Sequence, residues 1–69
     1  MHDPRQQMLA DIARRHARAA HEAGRTGLPS TDDYDAVARE VPDFDPESDD
    51  SVYYTKAYRT WLKAQRVQP

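Results

Sequence analysis

The side chains best able to do chemistry gather in two places. His16 and His21 sit in an alanine- and arginine-rich stretch, and five carboxylates, Asp43, Asp45, Glu47, Asp49 and Asp50, crowd into PDFDPESDD. The carboxylates fall at near-alternate positions, as calcium-loop ligands do. That loop also needs its glycine and its terminal glutamate, and neither is in register here. A solvated loop whose acids cap the next helix is the plainer account. His16 and His21 are five residues apart, about 140° around a helix, so they do not converge on one ion as an i, i+4 pair does. His16, on an apolar stripe, is expected to be structural or interfacial. With no cysteine in the chain, thiolate metal sites, thiol nucleophiles and disulfides are excluded. Ser30, Ser48 and Ser51 have no histidine near in sequence, and neither a nucleophile elbow nor a phosphate-binding glycine loop occurs. No metal, cofactor or catalytic residue is expected. A chain of 69 residues also leaves little room for a pocket of roughly several hundred Å3.

Binding chemistry fares better. Protein interfaces concentrate tyrosine, tryptophan and arginine at their centres, and VYYTKAYRTWL supplies all three. If Tyr54, Trp61 and Leu62 face inward, Tyr53 and Arg59 point largely outward. The protein-binding candidates are therefore Asp43, Asp45 and Asp49 in the acidic segment and Tyr53 and Arg59 beyond it. The alternative is a nucleic-acid surface built from Arg14, Arg15, Arg18, Lys56, Lys63 and Arg66, with nearby aromatic rings able to stack on bases. Two features weigh against it. The net charge is −2, and the long connector replaces the tight turn of a helix-turn-helix.

Charge is strongly segregated along the chain. Residues 1–29 carry five arginines against Asp3, Asp11 and Glu22; residues 30–51 carry nine acids against Arg39 alone; residues 52–69 carry Lys56, Arg59, Lys63 and Arg66 with no acid. Either the acidic middle folds against the basic ends, or the surface is polarised to steer a charged partner.

Three helices must position these groups. Asp3 and Pro4 suit the N-cap and first position of a helix over about 4–23, with Gln6 placed for a capping box and Gly24 as the residue that ends it. Met8, Ile12, His16, Ala19 and Ala23 fall at helical spacing, with Leu9, Ala13 and Ala20 beside them. So thin an apolar seam needs a close neighbour, which makes this the candidate dimerisation helix. GRTGLP is a loop. Ser30 or Thr31 then caps a helix over about 32–41 whose apolar face is Tyr34, Val37, Ala38 and Val41. The acidic connector follows, with Phe44 as its lone apolar plug. Asp49, Asp50 and Ser51 offer caps for a last helix over about 51–67, which faces the core with Tyr54, Ala57, Tyr58, Trp61, Leu62 and Gln65. The alternation in SVYYT suits a strand too, but no second strand exists to pair it.

The expected fold is all-α, a single three-helix domain over 1–69 with an acidic, proline-containing connector between helices two and three. A chain this short buries only about 60% of its unfolded surface, so self-association or docking on a partner is a natural remedy. No apolar run could span a membrane, and the N-terminal residues lack the pattern of a secretory signal, so a cytoplasmic location is expected. The order PDFDP, then V-x-Y-T over 52–55, then Trp61-Leu62 resembles the small acidic adaptor proteins of bacterial iron–sulfur cluster assembly. The long basic N-terminal helix departs from that pattern, and no expectation rests on the resemblance. The functional expectation is a non-catalytic accessory or regulatory protein, an adaptor or inhibitor, that binds a larger protein and can also pair with itself; the alternative is a small DNA- or RNA-binding regulator.

Overall fold

Asp3 and Pro4 start the first helix as their chemistry suggests: the Asp3 carboxylate accepts the Arg5 backbone N–H at 3.0 Å, and Pro4 takes the first helical position. The computed structural model describes residues 3–66. Its elements are α1 (Pro4–Glu22), α2 (Thr31–Glu40) and α3 (Asp49–Arg66), with no strand among the described residues. The three-helix architecture is as expected. Position 67, the expected end of the last helix, lies outside the described residues.

The junctions follow from local residues. Gly24 adopts φ +79°, and the N–H groups of Gly24 and Arg25 return to the carbonyls of His21 and Ala20 at 3.0 and 2.8 Å, closing α1 in a Schellman turn. Ser30 caps α2 and Asp33 reciprocates, so Ser30 Oγ accepts the Asp33 N–H and the Asp33 carboxylate accepts the Ser30 N–H. At α3 the hydroxyl that accepts a first-turn N–H belongs to Ser48, from Asp50 at 3.1 Å. Asp49, Asp50 and Ser51, the expected caps, lie inside the helix instead, and the Asp50 carboxylate is engaged by Arg5.

Helix α1 packs on α3 through Ala13, Ala17 and Ala20, all fully buried, flanked by Leu9 and Ile12. Small side chains let the two backbones come close. The buried stripe of α1 is rotated from the expected one: Met8, Ala19 and Ala23 are exposed, while Leu9, Ala13 and Ala17 are inside. An alanine-rich helix has a weak facial preference of its own, so the bulky rings of α3 decide which side goes in. Of the seam expected to dimerise, Ile12 is packed within the chain and His16 is half-buried, while Met8, Ala19 and Ala23 stay exposed.

Helix α2 is held at arm's length. No Cα of α2 comes within 8 Å of one in α3, and tyrosine side chains bridge the gap. Val37, Val41 and the plug Phe44 fill the space between them. Ala38, assigned to the inner face, is exposed, and Asp33 is buried in its place. The resulting molecule measures 37 × 30 × 16 Å. On the outer faces of α3, Val52, Lys56, Arg59, Thr60 and Lys63 stay exposed. None of the described helices is long and apolar enough to cross a membrane.

Candidate functional site

The inner side of α3 is organised by Tyr54, which is fully buried. Its ring meets His16, Tyr34, Phe44 and Tyr58 at centroid distances of 5.7, 5.6, 6.2 and 6.1 Å, edge-on or tilted as aromatic quadrupoles prefer. Its hydroxyl lies 2.6 Å from His16 Nδ1 and 3.3 Å from the Asp33 carbonyl. His16 Nε2 lies 2.8 Å from Glu40 Oε2, and Arg15 donates to the other Glu40 oxygen at 2.6 Å. Neutral His16 donates from Nε2 to Glu40 and accepts the Tyr54 proton at Nδ1. Protonated His16 donates from both nitrogens, and the Tyr54 proton turns to the Asp33 carbonyl. Both forms leave every group satisfied.

A carboxylate, an imidazole and a hydroxyl in series resemble a nucleophile-activating array. Here the hydroxyl is sealed inside the core, burial pushes the Tyr54 pKa well up, and neither surface groove reaches it. The array works as a buried strut, in keeping with the structural role expected of His16.

A second strut centres on Asp33. Its carboxylate accepts from the Tyr58 hydroxyl at 2.9 Å and from the Ser30 backbone, with the Arg25 guanidinium 3.7 Å away. Burial raises the Asp33 pKa, but the Ser30 and Tyr58 hydrogen bonds and the Arg25 charge outweigh it, and the net shift is downward. Tyr34 adds a hydroxyl contact to Thr55 at 2.7 Å.

Arg5 clamps the connector. Nε and Nη2 donate to the two Asp50 oxygens at 3.0 and 2.7 Å, and Nη1 donates to Asp43 at 3.1 Å. This bidentate pair holds the Asp50 carboxyl below its ordinary value against the opposing effect of burial. Arg5, Asp33 and Glu40 were not among the sequence candidates, and Asp50 figures only within the acidic cluster and as a cap. One signal pointed to Arg5: a cation in the first turn of a helix opposes the macrodipole, a local conflict that a tertiary partner resolves.

The outer side of α3 carries two grooves. One, of about 390 Å3, runs between α1 and α3, floored by Ala10, Ala57 and Ala64 and walled by Tyr53 and Trp61, with Arg14 and Lys56 on its rim. Gln6 lines this groove too. The other, of about 790 Å3, lies between α3 and the turn at Thr26–Gly27 and is lined by Lys56, Arg59 and Lys63, by hydroxyls, and by Val52 and Leu62. The volume exceeds what so short a chain suggested because these are open furrows between elements, not enclosed cavities.

The protein-binding candidates divide between these regions. Tyr53 lines the aromatic groove and Arg59 the basic one, about 120° apart around α3. Asp43 is tied to Arg5 yet leaves 76% of its side chain exposed. Asp45 accepts the Glu47 N–H within the connector, and Asp49 has no side-chain partner among the described residues. Of the nucleic-acid candidates, Arg14 and Lys56 meet on the rim of the aromatic groove. Arg14, Arg15 and Arg18 pair with Asp11, Glu40 and Glu22, whereas Lys56 and Lys63 line the basic groove; the side chain of Arg66 lies outside the described residues. No group of three or more potential metal-ligating side chains among the described residues is arranged to hold an ion.

Comparison with protein-family models, with curated proteins and with solved structures found no match to this chain.

Proposed function

We propose that the protein is a non-catalytic accessory or regulatory module that binds a larger protein, as an adaptor or inhibitor, and that α3 is its principal contact. One observation carries the reading. Each arginine of α1 and of the loop after it has an acid partner within the chain, while Lys56, Arg59 and Lys63 have none among the described residues and lie beside half-covered Tyr53 and Trp61. Of these cations only Lys56 shares the aromatic groove with Tyr53 and Trp61, and Arg59 and Lys63 line the adjoining basic groove; aromatic rings and unneutralised cations on one helix are the composition of an interface centre. The acidic connector contributes through Asp45 and Asp49, because Asp43 is partly committed to Arg5. Pairing of two copies through α1 would use the exposed Met8, Ala19 and Ala23 together with the charged side chains around them. A second reading, a nucleic-acid-binding regulator, draws on the carboxylate-free lining of the basic groove.

Affinity capture from lysate, with and without nuclease, separates the two readings. A protein partner that survives nuclease and is lost on combined Tyr53→Ala and Arg59→Glu substitution is the expected result. Recovery of nucleic acid, with proteins disappearing after nuclease, would promote the regulator.

A further inference from the structure

Resting on the reading of α3 as a protein-binding helix, we infer that the basic groove takes an acidic amphipathic segment of the partner, one that sets carboxylates against Lys56, Arg59 and Lys63 and apolar side chains against the exposed Val52. The three cations stand at i, i+3 and i+7, one stripe about 10 Å long. They line the groove with no carboxylate among its lining residues, and none has an ion-pair partner among the described residues. Positive charge is thus left open to an external anion.

The apolar component decides which anion. Val52 is 57% exposed within this groove, and Leu28 is 64% exposed on the neighbouring loop. A phosphodiester backbone has nothing with which to cover such side chains, whereas a peptide carrying leucine or phenylalanine beside its carboxylates covers them and meets the cations together. The one aromatic ring among the groove's described lining residues is the His21 imidazole, already engaged edge-on with Trp61 at 5.8 Å, so the groove offers no run of rings on which successive bases could stack. The charge along α3 also changes sign, from Asp49 and Asp50 at its start to Lys63. A long uniform polyanion laid along the helix would run onto the acidic end. A peptide of mixed character ends its carboxylates where the cations end.

The test is selection of a display library of random 16-residue peptides on the full-length protein, followed by titration of enriched peptides with NMR mapping. The expected outcome is enrichment of sequences combining Asp or Glu with apolar residues at three- and four-residue spacing. Their binding should perturb Val52, Lys56, Arg59 and Lys63 and weaken on the order of tenfold or more in a Lys56→Glu/Arg59→Glu/Lys63→Glu variant. Circular dichroism of that variant confirms that it remains folded, and a second variant, Val52→Asp, should weaken binding with the cations intact. Enrichment of basic or neutral peptides, mapping to the Tyr53–Trp61 groove, or failure of any peptide to enrich would overturn the inference. So would tighter binding of a poly(dT) 20-mer than of the selected peptides. A partner captured from lysate that depends on Tyr53 but tolerates the triple charge reversal would sink this inference while leaving the protein-binding role of α3 standing.

Discussion

Helices α1 and α3 are both rich in cations and treat them in opposite ways. On α1, Asp11 and Glu22 neutralise Arg14 and Arg18 along the helix itself, while Asp43, Asp50 and Glu40 reach across to Arg5 and Arg15. Beyond Asp50, α3 contains no acid, so its cations have no neighbour on their own helix. Charge totals over a segment therefore say little about the field outside it. What matters is whether opposite charges fall at i+3 or i+4, or face one another across the fold. Part of the acidic middle folds against α1, through Glu40, Asp43 and Asp50, while Lys56, Arg59 and Lys63 of α3 stay exposed.

The same helix shows the contrast across its own width. Its inner side builds the fold through Tyr54 and Tyr58, and its outer side is free for binding. Inner substitutions should then cost stability and outer ones should not. The largest effect is expected for Tyr54→Ala, which removes the ring that four aromatic neighbours touch and strands His16. Large-to-small core changes of this kind cost about 3–5 kcal/mol, a major fraction of the roughly 3–10 kcal/mol expected for a domain this size. Thermal melts by circular dichroism should show Tyr54→Ala largely unfolded near physiological temperature. A cooperative melt close to that of the parent would break the division between inner and outer sides.

Tyr58→Phe isolates one strut. The ring stays, but the Asp33 carboxylate loses the donor at 2.9 Å and keeps those of Ser30. Hydrogen bonds to charged groups contribute about 1.5–3 kcal/mol, and urea titration should find a loss in that range.

The architecture was readable from sequence because its signals are local. Caps, glycine φ, proline positions and 3.6-residue spacing put all three helices within two residues of their observed ends. Which face of α1 turned inward was not readable, since Ala13 and Ala19 are the same residue and only tertiary packing makes one buried and the other exposed. The struts were hidden for a related reason. Asp33 is one of two acids in the first turn of α2, a position that local sequence already accounts for, Asp50 reads as a cap, and the groups that recruit them, Tyr58 and Arg5, are 25 and 45 residues away in the chain. Tyr53 and Arg59 looked like one surface in sequence, and helical geometry assigns them to separate grooves.

Acid should loosen the inner side first. Asp50 is held down by its hydrogen bond from Arg5, Glu40 by that from Arg15, and Asp33 by the Ser30 and Tyr58 bonds that overcome burial. Each folded-state pKa lies below the ordinary 3.8 for Asp or 4.5 for Glu. The carboxylates therefore add their full stability above those values and lose it as pH falls through the lower folded ones. Burial, followed by the bond to Asp33, moves Tyr58 up to about 12, so its contribution is whole below its ordinary pKa of 10 and declines as pH climbs towards 12. Urea midpoints should be flat from pH 5 to 9 and fall on both sides. A midpoint unchanged between pH 6 and 2.5 would show that the struts carry no net stability.

A more local effect is expected from Arg5→Gln. Hydrogen exchange should speed up at Asp45 and Asp50, whose N–H groups depend on the Asp50 carboxylate and the Ser48 cap, while Val37 and Leu62 stay protected. Uniform acceleration across the chain would mean that the clamp supports the whole fold and not only the connector.

The smallest expected change in stability is the most informative. Lys56→Glu/Arg59→Glu/Lys63→Glu alters three exposed side chains that have no ion-pair partner among the described residues, and surface changes of this sort usually stay within about 0.5 kcal/mol each. It also puts negative charge near the C-terminal end of α3, against the macrodipole, which limits any gain. A parallel reversal on α1, Arg5→Glu/Arg15→Glu, places carboxylates against Asp50, Asp43 and Glu40 and should destabilise strongly. Measured side by side in low salt, the α3 variant should melt near the parent and the α1 variant well below it. Equal losses would mean that α3's cations are committed within the fold after all. A stable α3 variant that has lost its ligand would separate binding from folding on the two sides of one helix.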